Sequence, residues 1–385
     1  MEMLSGIGEP AHWAAEDISR GLEQGQSRPG LIGAADIVPL VSDRDLWDMW
    51  QLQREDGATA VLDGRSYWFF LAAPRYPDPN QRHDVARIRL LSHGDEGWRD
   101  HGDALPDAFT PGSREWSGSA TLASDDETVT LYFTASGRRE GGPRFEQRLF
   151  ATEGRLRRAT GFVKIEEWTT PNELFAADGT VYAAAREDQP TNGMILGFRD
   201  PGYFRDPADG CEYILFSGSA AWTTDIYDGV IGIAQRQGDR WMLLPPLVEA
   251  IGVSKELERA HMIARNGLYY LFWSTSAARF APGIRGQTGL YGMVANRIAG
   301  PWTPLNDTSL VAANPPEEPA QAYCWWVTAE LDVISFVDQW GMQGRNLSEH
   351  PHLLRKQFGG TVAPIFRLHL AGSRATIVPE ASMSA

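Results

Sequence analysis

Asp48 stands between two indoles in the run Trp47-Asp48-Met49-Trp50. A tryptophan offers a flat apolar face and a single N–H donor, so a pair of them can wall a sugar ring while a carboxylate between them reaches its reactive carbon. Asp48 is therefore the expected nucleophile, with a strand-entry Asp beside two core tryptophans as the plain alternative. Further along, Arg114-Glu115-Trp116-Ser117-Gly118-Ser119-Ala120 sets another indole beside a hydroxyl, and Gly197-Phe198-Arg199-Asp200-Pro201 carries a second acid. Glu256-Leu257-Glu258-Arg259-Ala260-His261 carries two more, and Gln321-Ala322-Tyr323-Cys324-Trp325-Trp326 closes the series. Three converging carboxylates, Asp48, Asp200 and Glu258, would allow a retaining glycoside mechanism with one nucleophile, one proton donor and one anchor for ring hydroxyls. In an extended backbone Glu256 and Glu258 point the same way, so their repulsion would help keep one of them protonated, tempered by Arg259; an exposed acidic strand edge is the other reading.

Residues so far apart meet only if the fold brings them together. Ser66–Leu71 is rich in aromatic and aliphatic residues with no helical period, and Arg87–Leu91 alternates polar and apolar, so the two read as paired strands. The pairing recurs at Thr128–Phe133 with Phe145–Phe150, Glu212–Phe216 with Val230–Ala234, Leu268–Phe272 with Leu290–Ala295, and Asp332–Val337 with Ile365–Leu370. Five such pairs, joined by Gly, Pro, Asp and Asn turns, predict an all-β chain folded as a single five-bladed β-propeller with its site in the central funnel, where loops entering equivalent strands converge. A pair of β-sandwiches is the runner-up. Residues 1–40, rich in Gly, Pro and small side chains, read as an arm over the propeller of residues 41–385, with one short helix expected within His12–Glu23.

A net charge of −15 and a pI near 5.0 disfavour nucleic acid or an anionic membrane as partner, since both would be repelled, and suit a neutral substrate. No run of 18 or more apolar residues predicts a membrane span, and no basic stretch followed by an apolar one predicts a cleavable leader. Localisation stays open: retention inside, export by another route, or a leader removed. Cys211 and Cys324 have no metal-ligand spacing and are expected free and buried, a single bridge being the alternative. The 14 tryptophans, several beside acids, suit a carbohydrate-handling surface; a tryptophan-rich core is the alternative.

Taken together, Trp-Asp-x-Trp-x-Leu-Gln at 47–53, Glu-Trp-Ser-Gly-Ser-Ala at 115–120, Arg-Asp-Pro at 199–201 and Glu-Leu-Glu-Arg at 256–259 resemble the family 68 glycoside hydrolases, the levansucrases, inulosucrases and related β-fructofuranosidases. Leu244-Pro245-Pro246-Leu247 falls in the matching place, and the resemblance runs from Asp43 to Ile377. It implies a five-bladed propeller that cleaves sucrose without metal or cofactor and passes the fructosyl unit to a sugar acceptor or to water. Asp48 matches the nucleophile, Asp200 the transition-state stabiliser and Glu258 the general acid/base. Trp47, Trp116, Ser117 and Arg199 match the fructose pocket, and Glu256, Arg259 and Tyr323 the glucose or acceptor side. A second Arg-Asp-Pro, at 205–207, reads as a decoy. Three departures stand out. Ser276 falls where polymer-forming relatives place an Arg or His, Trp325 falls where a His is common, and Lys255 replaces an Asp found in calcium-binding relatives. They favour hydrolysis or short fructooligosaccharides over long levan, and no calcium site. His261 is expected to be packed or hydrogen-bonded rather than a ligand.

Overall fold

The computed structural model describes residues 8–23, 28–159, 162–185 and 194–379. Five antiparallel blades follow in chain order. The first contains Arg44–Arg54, Arg65–Pro74, Arg87–Gly94 and Gly97–Asp103; the second Arg114–Leu122, Thr128–Ser136, Gln147–Ala159 and Phe162–Glu166. The third contains Phe198–Arg205, Glu212–Ser219, Gly229–Gln237 and Arg240–Glu249. In the fourth, Glu258–Arg265, Leu268–Thr275 and Gly289–Ala295 are edged by Thr303–Pro304 and Leu310–Ala313; the fifth contains Ala322–Val327, Asp332–Val337, Phe366–Ala371 and Arg374–Ile377. All five expected strand pairs form as the second and third strands of successive blades. The first two blades are also stitched together by parallel pairing of Leu52–Arg54 with Ala120–Leu122.

Blades bury both faces against their neighbours, which is why the strands read as unbroken apolar runs such as Tyr269–Thr275 rather than as clean alternation. Phe204, Leu215 and Ile233 of the third blade pack with Met262, Leu271 and Trp273 of the fourth, and Tyr270 and Phe272 of the fourth with Trp325 and Val333 of the fifth. Nine of the 14 tryptophans are buried within the apolar clusters of the blades.

The helix expected within His12–Glu23 spans Ala15–Glu23, preceded by Ala11–His12 pairing in parallel with Val248–Glu249 at the outer edge of the third blade. Trp13 is fully buried against Trp273, Phe280 and Tyr291. Gln321 grips the strand-like segment after the helix, accepting from Ile32 N at 3.0 Å and donating to Gly30 O at 2.9 Å. Residues 1–7 and 24–27 of the arm lie outside the described residues.

Candidate active site

The innermost strand of every blade carries a bulge at the same level. The register slips between Trp47 and Trp50, Trp116 and Gly118, Arg199 and Gly202, Glu258 and His261, and Tyr323 and Trp326. A bulge lets two consecutive side chains leave a strand on the same side, and bulges are common at barrel rims and beside active sites. Five dipeptides are thereby set around the funnel: Trp47-Asp48, Trp116-Ser117, Arg199-Asp200, Glu258-Arg259 and Tyr323-Cys324. Asp48, Asp200, Arg259 and Cys324 all have positive φ, between 44° and 63°, a left-handed conformation that non-glycine residues adopt at a cost of about 1–3 kcal/mol each. Glycine completes two of the bulges, because a Cβ on Gly118 would lie 1.9 Å from Tyr132 O and one on Gly202 would lie 2.5 Å from Ala260 O.

All of these dipeptide residues except Arg259 line a cavity of about 380 Å³. Trp47, Asp48, Trp116, Ser117, Arg199, Asp200, Glu256, Glu258 and Tyr323 all reach it, so nine of the ten residues expected from the sequence meet in one place. Arg259 is the exception. It is 1% exposed and lies beneath the cavity floor, donating from Nη2 to Met49 O at 2.7 Å with its guanidinium against the Trp50 and Trp326 rings. The structure thus places Arg259, expected at the glucose or acceptor side, under the floor of the cavity rather than on its wall.

The carboxylates sit in distinct surroundings. Asp200 is immobilised, accepting from Ser117 Oγ at 2.7 Å on one oxygen and from Ser217 Oγ at 2.8 Å on the other, with Arg259 N at 3.3 Å. Asp48 is unclaimed by any cation, and burial raises its pKa to about 6; Glu258 and Asp200 push the same way while Arg259 and the Cys324 thiol oppose them. Glu258 accepts from Arg199 Nη2 at 2.9 Å and from the Tyr323 hydroxyl. Although burial opposes it, these donors hold Glu258 below the usual carboxylate range, while Glu256, buried beside it, is raised. Burial and then the repulsion expected of the pair lift Glu256 rather than the acid/base candidate.

The cation thought missing at Ser276 comes from three residues on. Ser276 caps the short turn Ala277–Arg279, and Arg279 from that turn enters the cavity, its Nε 2.7 Å from Glu256 Oε2. Trp325 is 1% exposed and does not line the cavity. Lys255 is buried, its ammonium 2.8 Å from Asp228. Among the described residues no group of three or more His, Cys, Asp or Glu is placed to hold a metal ion. His261 is packed as expected: it stacks on Trp326, its Nδ1–H donates to Arg259 O at 2.8 Å, its Nε2 accepts from Val327 N at 2.9 Å, and burial lowers its pKa to about 3. The second Arg-Asp-Pro ends in a hairpin turn, where Asp206 accepts from Tyr269 OH at 2.6 Å, away from the cavity. Both cysteines are free; Cys324 is buried, but Cys211 is only partly so, because it sits in that same outer hairpin.

Three cavity residues had no motif to announce them. Arg82 and His83 come from the short helical turn Pro79–Asp84 of the first blade, and Asp338 from just after the second strand of the fifth. The turn clamps both indoles: Arg82 lies over Trp47, the His83 ring meets Trp47 edge-on, and His83 O accepts from Trp116 Nε1 at 3.1 Å.

The chain matches the family described as Levansucrase/Invertase over residues 26–229 and 223–384. It is 33% identical to a levansucrase of Zymomonas mobilis subsp. mobilis and 30% identical to one of Pseudomonas savastanoi pv. glycinea, each match covering 97% of this chain and 91% of the relative. Among solved structures it is similar to the inulosucrase from Halalkalicoccus jeotgali bound to kestose, with a TM-score of 0.87 and 34% identity over 96% of this chain and 95% of that one. The levansucrase from Gluconacetobacter diazotrophicus, at 22% identity and a TM-score of 0.82 over 98% of this chain and 92% of that one, shares the fold.

Proposed function

This chain belongs to the levansucrase/invertase family of glycoside hydrolases, and we infer that it is a levansucrase-like fructosyltransferase that cleaves sucrose with retention. The observation that carries the reading is the ring of five bulges, which turns Asp48, Asp200 and Glu258 from three blades into one cavity walled by Trp47 and Trp116. The domain organisation these contacts support is one catalytic propeller over residues 41–385 with residues 1–40 as an arm packed on it.

Asp48 attacks the anomeric carbon of the fructosyl unit as Glu258 gives a proton to the glycosidic oxygen, glucose leaves, and a fructosyl ester forms on Asp48. Glu258 then takes a proton from a sugar hydroxyl or from water, which displaces the ester. The oxocarbenium-like transition state is flanked by Asp200, whose fixed oxygens need no reorganisation as charge develops. Glu258 starts with donors on both oxygens, so the incoming sugar has to take over the Arg199 and Tyr323 contacts before Glu258 holds a proton. Arg279 and Glu256 form the wall on the same blade as Glu258, where the leaving or accepting sugar sits. With a cation present there, transfer to a sugar acceptor is favoured over the hydrolysis that Ser276 alone suggested.

Asp48→Ala should release no glucose from sucrose while unfolding at the temperature of the parent. Full glucose release by that variant would overturn the reading.

A further inference from the structure

Arg82 and Asp338 face one cavity without meeting. The Arg82 guanidinium lies over the Trp47 ring at 5.4 Å and the Phe358 ring at 4.5 Å, which fixes its plane, and its only hydrogen bond among the described residues is from Nη1 to Pro79 O at 2.9 Å. Arg82 is 7% exposed, yet its Nε is left without a partner. Asp338 receives no hydrogen bond on its carboxylate from any described residue and makes no ion pair within 4 Å, although Arg82 is the charge that acts on it. Burial raises the Asp338 carboxyl to about 6, as expected of an acid that lacks donors. A buried donor without a partner and a half-buried carboxylate without a donor, on the wall of one cavity, cost free energy unless something else completes them.

We propose that Arg82 and Asp338 are specificity-determining residues for the donor sugar, together holding one hydroxyl of the fructosyl ring at the seam of the first and fifth blades. The inference rests on the proposed sucrose chemistry and deepens it. The ligand is a neutral polyol: a hydroxyl donates to Asp338 and accepts from Arg82 at once, whereas an anion would meet Asp338 and Asp48, and a cation would meet Arg82. The ring in question is the fructosyl one, because Arg82 stacks on the indole that precedes the nucleophile, while the leaving sugar lies beside Glu258, Glu256 and Arg279 on the fourth blade. Arg82 and Asp338 take no part in bond making; they select and orient.

The test uses the whole enzyme and a set of sucrose derivatives, each lacking one fructosyl hydroxyl. The parent enzyme should lose roughly ten- to a hundredfold in kcat/KM on one derivative, the range expected for a hydrogen bond to charged groups. In Asp338→Asn, which keeps the side-chain shape, the penalty on that derivative should fall below about threefold while the other derivatives keep theirs, and sucrose itself should show a raised KM. Arg82→Lys, which keeps charge but loses the planar fork, should reduce the same penalty. The inference is overturned if Asp338→Asn keeps the parent's penalty on every derivative, or loses activity on sucrose and all derivatives by the same factor. Cleavage of sucrose by the parent but not by Asp48→Ala, alongside either result, would leave the proposed function standing and remove this inference alone.

Discussion

Cys324 occupies in the fifth blade the bulge position that Asp48 occupies in the first, and its thiol lies close enough to the Asp48 carboxyl to favour the ionised form. The thiol itself is held protonated, burial and the neighbouring Asp48 raising it well above the ordinary thiol range. It therefore works as a donor, and its removal destabilises the ionised nucleophile. A weak donor to a carboxylate contributes about 0.7 kcal/mol, or about half a pH unit. Asp48 must be ionised to attack, so one limb of the kcat/KM profile for glucose release should lie near pH 6, and it is the alkaline one, because Glu258 in the free enzyme is held below Asp48. Cys324→Ala should move that limb up by about half a unit, and Cys324→Ser, with a stronger donor of nearly the same size, should move it down by a similar amount. At pH 5 the ionised fraction is then about 3% in the Ala variant and about 24% in the Ser variant, a difference of about eightfold in rate from two substitutions at one atom. The assay is initial glucose release over pH 4–8 in a constant-ionic-strength buffer. Asp48 limbs that coincide in both variants would refute the reasoning.

Tyr323→Phe removes one donor from Glu258, so the Glu258 pKa in the free enzyme rises and the limb of the same profile that Glu258 governs should move to higher pH by about one unit; an unmoved limb would mean that Tyr323 does not hold Glu258 before sugar binds. Arg279→Gln should lower the proportion of fructosyl passed to sugar relative to water at least about tenfold at fixed sucrose, with a smaller change in total sucrose consumed, read by chromatography of the products; an unchanged ratio would return the acceptor wall to other residues. The two Arg-Asp-Pro sites should separate cleanly. Asp200→Asn should abolish turnover, whereas Asp206→Asn should lower stability by about 1–2 kcal/mol through its bond to Tyr269 and leave kcat/KM within about twofold. Equal activities of the two variants would reverse the assignment.

Blade count was legible because each blade contributes a hairpin whose strands are buried on both faces, and such strands announce themselves by aromatic and β-branched runs like Leu268–Phe272. The inner strands were legible for a different reason: their motifs carry the polar residues that a buried strand otherwise excludes. The inward placement of Arg259 was not legible, because nothing in Glu258-Arg259-Ala260 marks where the register slips. Arg279 was missed because it arrives from a loop turn rather than from the strand position where a cation was sought. Arg82, His83 and Asp338 were missed for want of spacing: they lie in connections between strands, where no period constrains which residue points inward. The one usable signal was Asp78-Pro79-Asn80, an N-cap followed by proline that opens a helical turn a few residues before Arg82.

The positive-φ positions show how the fold keeps such a site rigid. A glycine at Asp48, Asp200, Arg259 or Cys324 would relieve the backbone strain, but each of these side chains is bonded or charged against another of the set: Arg259 N to Asp200, Arg259 against Asp48, Cys324 to Asp48. The strain of each bulge is thus offset by contacts that exist only when its neighbours bulge too. Loss of one should loosen the others, so the five inner strands behave as one cooperative ring around Asp48 rather than as five independent loops. This also accounts for the unequal burdens on the two aspartates. Asp200 is held by Ser117 and Ser217, one on each oxygen, whereas Asp48 is short of donors, high in pKa and free to form a bond.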